Sequence, residues 1–235
     1  MQLPLLQPSS LRVAAITLLV AGIVFPFPLP AGARPVSYTG GWTLIEETDR
    51  QATSLWVHHT LSPHWSVGGR VEWDRRQDFV FGGVQATWLA KRWFGEHYQA
   101  NVYATGGLGV TAPVGARIDS RGRSTAPAAF AGLIADWETR RFFVSYRNRL
   151  LTSETLGDDF SNRQFFQAAR VGVAPYVGDT GDLHTWLMVE VDHRPNNREP
   201  VGVTPLVRFF KGAALLELGW SVTDGQPLVN FTYRF

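Results

Sequence analysis

From Gly40 onward the chain alternates apolar and polar residues with a period of two, the spacing at which a strand turns successive side chains to opposite faces. Trp65, Val67, Val71 and Trp73 share one face, while Ser66, Arg70 and Glu72 share the other. The same rhythm sets Tyr98, Val102, Leu108 and Val110 against Gln99, Asn101, Tyr103 and Thr105. It returns in Leu183, Leu187, Val189 and Val191 against His184, Trp186, Glu190 and Asp192, and again in Leu216, Leu218 and Trp220 against Leu215, Glu217 and Ser221. These segments predict about twelve strands, near residues 40–48, 52–61, 64–74, 78–90, 98–110, 127–138, 141–151, 163–174, 182–192, 201–209, 212–222 and 226–235. The first two and the tenth alternate least clearly, which leaves ten strands as the other count. Pro205 removes a ladder donor from the tenth and predicts a bulge or a shifted boundary there.

The gaps between these segments alternate in length. Even-numbered gaps include the short Leu61-Ser62-Pro63, Glu138-Thr139-Arg140 and Phe210-Lys211; the longer stretches 91–97 and 175–181 fit less well. Odd-numbered gaps include the two longest, 111–126 and 152–162, and the polar stretch 194–200. An even strand number with short turns at one end and longer loops at the other predicts an all-β, antiparallel, up-and-down barrel.

The first segment reads as a targeting signal rather than structure. Arg12 precedes an uncharged apolar stretch, 13–24, too short to span a bilayer, followed by Pro26, Pro28 and Pro30. Ala31-Gly32-Ala33 offers the small-x-small pattern of a signal-peptidase site. Residues 1–33 are therefore expected to be a cleaved signal peptide and 34–235 the barrel; an uncleaved anchor is the other reading. No later run is long and apolar enough for a membrane-spanning helix, so a mature chain that enters a membrane must do so as a closed barrel.

Alternation alone does not say which face points inward. Three features favour an apolar exterior. Trp65 and Trp73 stand roughly 27 Å apart along a strand, which at a 45° tilt projects to about 20 Å, close to the height of a lipid-facing band with aromatic girdles. Trp88, Trp137 and Trp220 also fall near strand ends, so these five tryptophans are expected to form the membrane girdle. The polar face is rich in Gly, Ser, Thr, Asn, Arg and Glu, and the only lysines in the chain are Lys91 and Lys211. The chain ends on Val229, Phe231, Tyr233 and Phe235 alternating with Asn230, Thr232 and Arg234. This ending resembles the terminal β-signal of bacterial outer-membrane proteins, with Phe231, Tyr233 and Phe235 as the residues an assembly machinery reads. With the signal peptide and the alternation, the mature chain resembles the bacterial outer-membrane β-barrel class. That resemblance implies a transmembrane barrel in the outer membrane of a Gram-negative cell, with lipids and the barrel-assembly machinery as partners and a monomeric state.

A formal net charge of only +2 gives no pull toward nucleic acid, and the absence of cysteine removes disulfides and thiolate metal sites. The polar face is expected to line the lumen with Arg70, Glu72, Arg147, Arg149, Arg170, Glu190, Asp192, Arg208, Glu217 and Arg234. These charges either fill the interior as salt bridges or line a narrow aqueous path, where the arginine excess hints at anion preference. His58 and His59 are adjacent on a strand and point to opposite faces, so no metal site and no cofactor is expected. Asp192-His193-Arg194-Pro195-Asn196-Asn197 supplies a histidine and asparagines without a following serine, so no catalytic residues are assigned. In the outer loops, Arg117, Arg121 and Arg123 are candidates for glycolipid phosphates, and Glu154, Asp158 and Asp159 for a divalent cation, or both are solvated loop faces. The functional expectation is a small channel, or a porin-like or structural membrane barrel. The alternatives are a lipid-modifying enzyme, a surface receptor or adhesin acting through its outer loops, and a soluble periplasmic β-barrel binding protein.

Overall fold

The computed structural model describes residues 35–114, 125–154, 163–179 and 181–235. The expected signal peptide lies outside them, as do Arg117, Arg121, Arg123, Asp158 and Asp159. The alternating segments become twelve strands: β1 (Trp42–Thr48), β2 (Ala52–Ser62), β3 (Trp65–Asp74), β4 (Phe79–Phe94), β5 (Tyr98–Pro113), β6 (Ala126–Thr139), β7 (Phe142–Ser153), β8 (Arg163–Val173), β9 (His184–His193), β10 (Val201–Lys211), β11 (Ala214–Trp220) and β12 (Pro227–Arg234). Each pairs antiparallel with its sequence neighbours, and β12 returns to β1, so the sheet closes with no free edge. The closing seam runs from Thr43 opposite Arg234 to Thr48 opposite Val229. Trp42 and Phe235 finish it by exchanging both backbone hydrogen bonds, at 2.8 and 3.1 Å.

The sheet is closed with its polar face inward. Leu108 is 67% exposed on the outside, whereas Glu217 is 2% exposed on the inside. Exposed aliphatics circle the exterior on successive strands, among them Leu55, Val71, Val84, Leu133, Val144, Val171, Leu187 and Leu218. A soluble barrel places these faces the other way round.

Two details differ from the expected boundaries. β4 runs on to Phe94 because the register slips between Leu89 and Lys91, a bulge that lets the ladder continue past Ala90. The long gap expected there shrinks to a tight turn in which the Gly95 amide donates to Tyr98. Pro205 sits in an unbroken ladder opposite Val189, with no bulge. Its neighbour Val203 turns both backbone groups toward β11, accepting from Val222 and donating to Thr223 Oγ1, so Pro205 faces the same way. There β11 has reached its last residue, Trp220, and the β10–β11 register begins only at Leu206, so the missing donor falls at the ladder's end.

One turn of the wall is bent tightly. Gly83 on β4 lies opposite Gly109 on β5; a Cβ on either would come within 2.3 Å of the facing backbone. The Phe130 ring occupies the lumenal space beside Gly107, where a Cβ would meet it at 2.3 Å. Glycine here lets two strands curve together while a neighbouring aromatic fills the gap.

Candidate functional site: a charged lumen

Both chain ends and the even-numbered turns define one end of the barrel, the terminal end. The odd-numbered turns define the far end. Between them lies a cavity of about 440 Å³. Its lining runs from Pro35, Glu138, Arg140 and Gly178 at the terminal end to Asp49 and Arg194 toward the far end.

The middle of the lumen holds an alternating chain of charges contributed by six strands. Arg147 of β7 bridges Glu47 of β1 at 2.9 Å and Glu190 of β9 at 3.4 Å. Arg170 of β8 continues from Glu190 at 2.6 Å to Glu217 of β11 at 2.7 Å. Arg208 of β10 closes on Glu217 at 2.6 Å, and Asn230 of β12 donates to the same carboxylate. A second cluster joins Glu72 of β3 to Arg70 on the same strand and to Arg149 of β7. Planar guanidinium groups serve twice in this arrangement, donating in plane to carboxylates while their faces lie on aromatic rings. Arg70 covers Trp56 at 4.2 Å, Arg208 covers Phe143 at 4.4 Å and Arg194 covers Phe166 at 4.1 Å.

Nearly all these carboxylates are sealed from water. Arg147, Glu47 and Arg149 keep the most contact with the cavity, at 25, 24 and 18% side-chain exposure. Arg234 is buried near the terminal end, in register with Thr43. Asp192 is drawn into a separate network at the far end. Seven arginines line the cavity and so do seven carboxylates, so the sequence's arginine excess does not become an excess of cavity charge.

That far-end network comes from turns, which periodicity does not reach. Arg50, between β1 and β2, extends across the mouth to Asp192 at 2.9 Å, Asp224 at 3.4 Å and the backbone oxygen of Glu199 at 3.2 Å. Arg194 binds Asp49 and Asp192, while Asn197 donates to Gln51 and Gln51 to Asp74. Burial pushes the Asp49 carboxyl up, but the Arg194 guanidinium and the amides of Ala52 and Gln51 outweigh it and hold it below the usual carboxylate range. The charges of the two short turns, Asp49 and Arg50 and Arg75, Arg76 and Asp78, were visible in the sequence; their partners across the mouth were not.

The outer wall carries the expected tryptophans. Trp65 stacks on Trp88 at 6.0 Å, and Trp137 lies against Tyr98 at 6.4 Å, all toward the terminal end. Trp73 and Trp220 lie on the outside toward the far end. Phe231, Tyr233 and Phe235 form a stacked outer row with spacings of 6.4 and 6.2 Å.

The wall also carries a polar track that the sequence reading missed. Asn148 donates to Tyr146 Oη, which donates to Gln167, and the Gln167 amide meets His193 Nδ1 at 3.1 Å. Tyr146 and Asn148 alternate with the lumenal Arg147 and Arg149, so the middle of β7 is polar on both faces, and that was visible in the sequence. His58 points inward and is buried, while His59 points outward onto Trp42 at 4.9 Å. Among the described residues no three His, Cys, Asp or Glu side chains are grouped to hold a metal ion.

No family model and no curated protein matches the chain. Two solved structures of KdgM porin are similar to it in shape. The one in complex with disordered oligogalacturonate has a TM-score of 0.47 at 11% identity, covering 83% of this chain and 98% of that chain. The other has a TM-score of 0.46 at the same identity and coverage.

Proposed function

We propose that the mature chain is a monomeric β-barrel of the bacterial outer membrane, with its terminal end in the periplasm, and that it works as a small channel. The observation that carries this reading is the inverted barrel: aliphatic residues circle the outside while paired charges fill the inside. Each Val or Leu side chain left in water forgoes roughly 1.5–3 kcal/mol, and lipid removes that penalty around the whole circumference. Closure satisfies the other demand of hydrocarbon, that no backbone donor or acceptor be left at an edge. The tryptophan girdle and the terminal Phe231, Tyr233 and Phe235 then have their use at the lipid interface and in recognition by the assembly machinery.

Balanced charges in the cavity favour weak discrimination between anions and cations. The test is single-channel recording in a planar bilayer. Small, steady conductance is expected, and Arg147→Ala and Arg149→Ala should change both its size and its ion preference. Absence of conductance from inserted, heat-modifiable protein overturns the channel reading. The lipid-modifying alternative is not favoured, because His193 hydrogen-bonds to Gln167 rather than to a serine.

A further inference from the structure

Residues Pro35–Tyr38 precede the first strand, yet they do not run away from the barrel. Val36 is 2% exposed and packs with Leu89 of β4 and Tyr103 of β5, with Ile134 of β6 against the same cluster. All three lie on the lumenal faces of their strands. Both neighbours of Val36 are tied down as well. The Pro35 carbonyl accepts from Ser66 Oγ at 2.9 Å, and the Ser37 hydroxyl meets Thr60 Oγ1 at 2.9 Å. The Ser37 amide donates to the same Thr60 oxygen at 3.3 Å, and the Gly40 amide to the Thr60 carbonyl at 2.8 Å. Pro35 itself lines the cavity.

We propose that this segment is a lumenal plug: a short, bent peptide bound in a groove of the barrel's own interior, narrowing the terminal mouth. The groove has the two elements of a peptide site. An apolar pocket between β4, β5 and β6 takes one side chain, and hydroxyls on β2 and β3 hold the backbone on either side of it. Nothing in strand pairing requires this contact, since β1 begins at Trp42 and the ladder closes without it. The expected cleavage before Arg34 leaves one residue ahead of Pro35, so the plug has a free end and can leave the groove without disturbing the seam. Its ligand class follows from the groove: a short peptide that can bend, with a β-branched residue flanked by a backbone acceptor and a hydroxyl.

Two direct tests are available, and the absence of cysteine allows the first in the full-length mature barrel. In the first, Val36→Cys and Tyr38→Cys are each labelled with a water-soluble maleimide. Tyr38 is 39% exposed and Val36 is sealed, so Val36→Cys should react at least tenfold more slowly. Equal rates overturn the plug whether or not the barrel conducts. Val36→Ser separately labelled at Ser37→Cys guards against a cysteine that itself loosens the groove; it should react faster than Ser37→Cys alone, and an unchanged rate counts against seating by Val36.

The second test rests on the channel reading. Protein lacking residues 34–38 should conduct more than the intact chain, and a synthetic peptide of sequence Arg-Pro-Val-Ser-Tyr, added on the terminal side, should lower that conductance. The same peptide with Asp in place of Val should not. Equal conductance with and without the segment overturns the plug. Silence from both forms overturns the channel instead, and the labelling ratio then decides the plug by itself.

Discussion

Glu217 is where the lumenal charge chain is most concentrated, and its removal gives a prediction with a definite size. The carboxylate is 2% exposed and receives Arg170 at 2.7 Å, Arg208 at 2.6 Å and the Asn230 amide. Breaking a buried ion pair by deleting one partner costs about 3–5 kcal/mol, because the other charge is left without compensation. Two features place Glu217→Ala near the lower bound. Arg170 retains Glu190 at 2.6 Å, and Arg208 retains the Phe143 face at 4.4 Å. A loss of about 3 kcal/mol lowers the folded-to-unfolded ratio roughly a hundredfold. Urea unfolding in lipid vesicles, followed by the emission of the nine tryptophans, reads this directly. Glu217→Ala combined with Arg208→Met should recover part of the loss, since the stranded cation is then gone. A Glu217→Ala protein within about 0.5 kcal/mol of the parent would refute the reasoning. It would mean that water reaches these groups freely and screens them.

Three further outcomes follow from other parts of the barrel. Asp49 has its carboxyl held below the usual range, so its contribution to the far-end network is complete above about pH 4 and is lost as pH falls further. Hydrogen exchange of the 194–200 turn should therefore accelerate only below that point in the parent and be fast at every pH in Asp49→Asn; identical profiles would contradict the Asp49–Arg194 pairing. Gly109→Val forces a side chain to within 2.2 Å of the Gly82 carbonyl and should abolish the heat-modifiable folded band on a detergent gel, whereas Gly82→Ala, with nothing within 4 Å, should not. Deleting Phe235 removes both terminal seam hydrogen bonds, worth about 1–3 kcal/mol together, and one ring of the outer aromatic row; assembly into outer membranes in cells should fall more than refolding into pure lipid does, and an equal fall in both would argue against a recognition role.

The strands were legible because one physical demand, an apolar face against a polar one, repeats along most of them. The existence of β4 and β10 was legible, but the extension of β4 to Phe94 and the unbroken ladder at Pro205 were not, because a bulge at Ala90 and a proline at position 205 act on backbone hydrogen bonds, which a side-chain pattern does not report. Which residues share a face with Arg170 was also readable. Its partners were not: Glu190 faces it across the β8–β9 pair only in one register of that hairpin, and Glu217 lies three strands away on β11. The far-end network was missed for a related reason. Arg50 and Asp192 are 142 residues apart, and only closure of the ring brings the β1–β2 turn over the β9–β10 turn. Pro35–Tyr38 carried no strand signal at all, and its seating follows from contacts with β2 through β6 that no pattern in the segment itself announces.

The way the lumen is filled also bounds what can pass. Two apolar clusters, around Phe81 and Phe130 and around Phe143 and Met188, occupy part of the interior, and the ion chains cross much of the rest. The remaining 440 Å³ corresponds to room for on the order of ten to twenty waters. Water, small ions and compact solutes fit such a space without rearrangement. Anything larger must displace Arg147 or Arg149, which with Glu47 are the most exposed members of the ion-pair chains, and doing so strands a buried partner: Glu190 for Arg147 and Glu72 for Arg149. A solute carrying its own carboxylate or ammonium can replace the lost partner and an uncharged one cannot. Size exclusion for neutral molecules should therefore be sharper than for charged molecules of the same volume, even though the cavity favours neither sign.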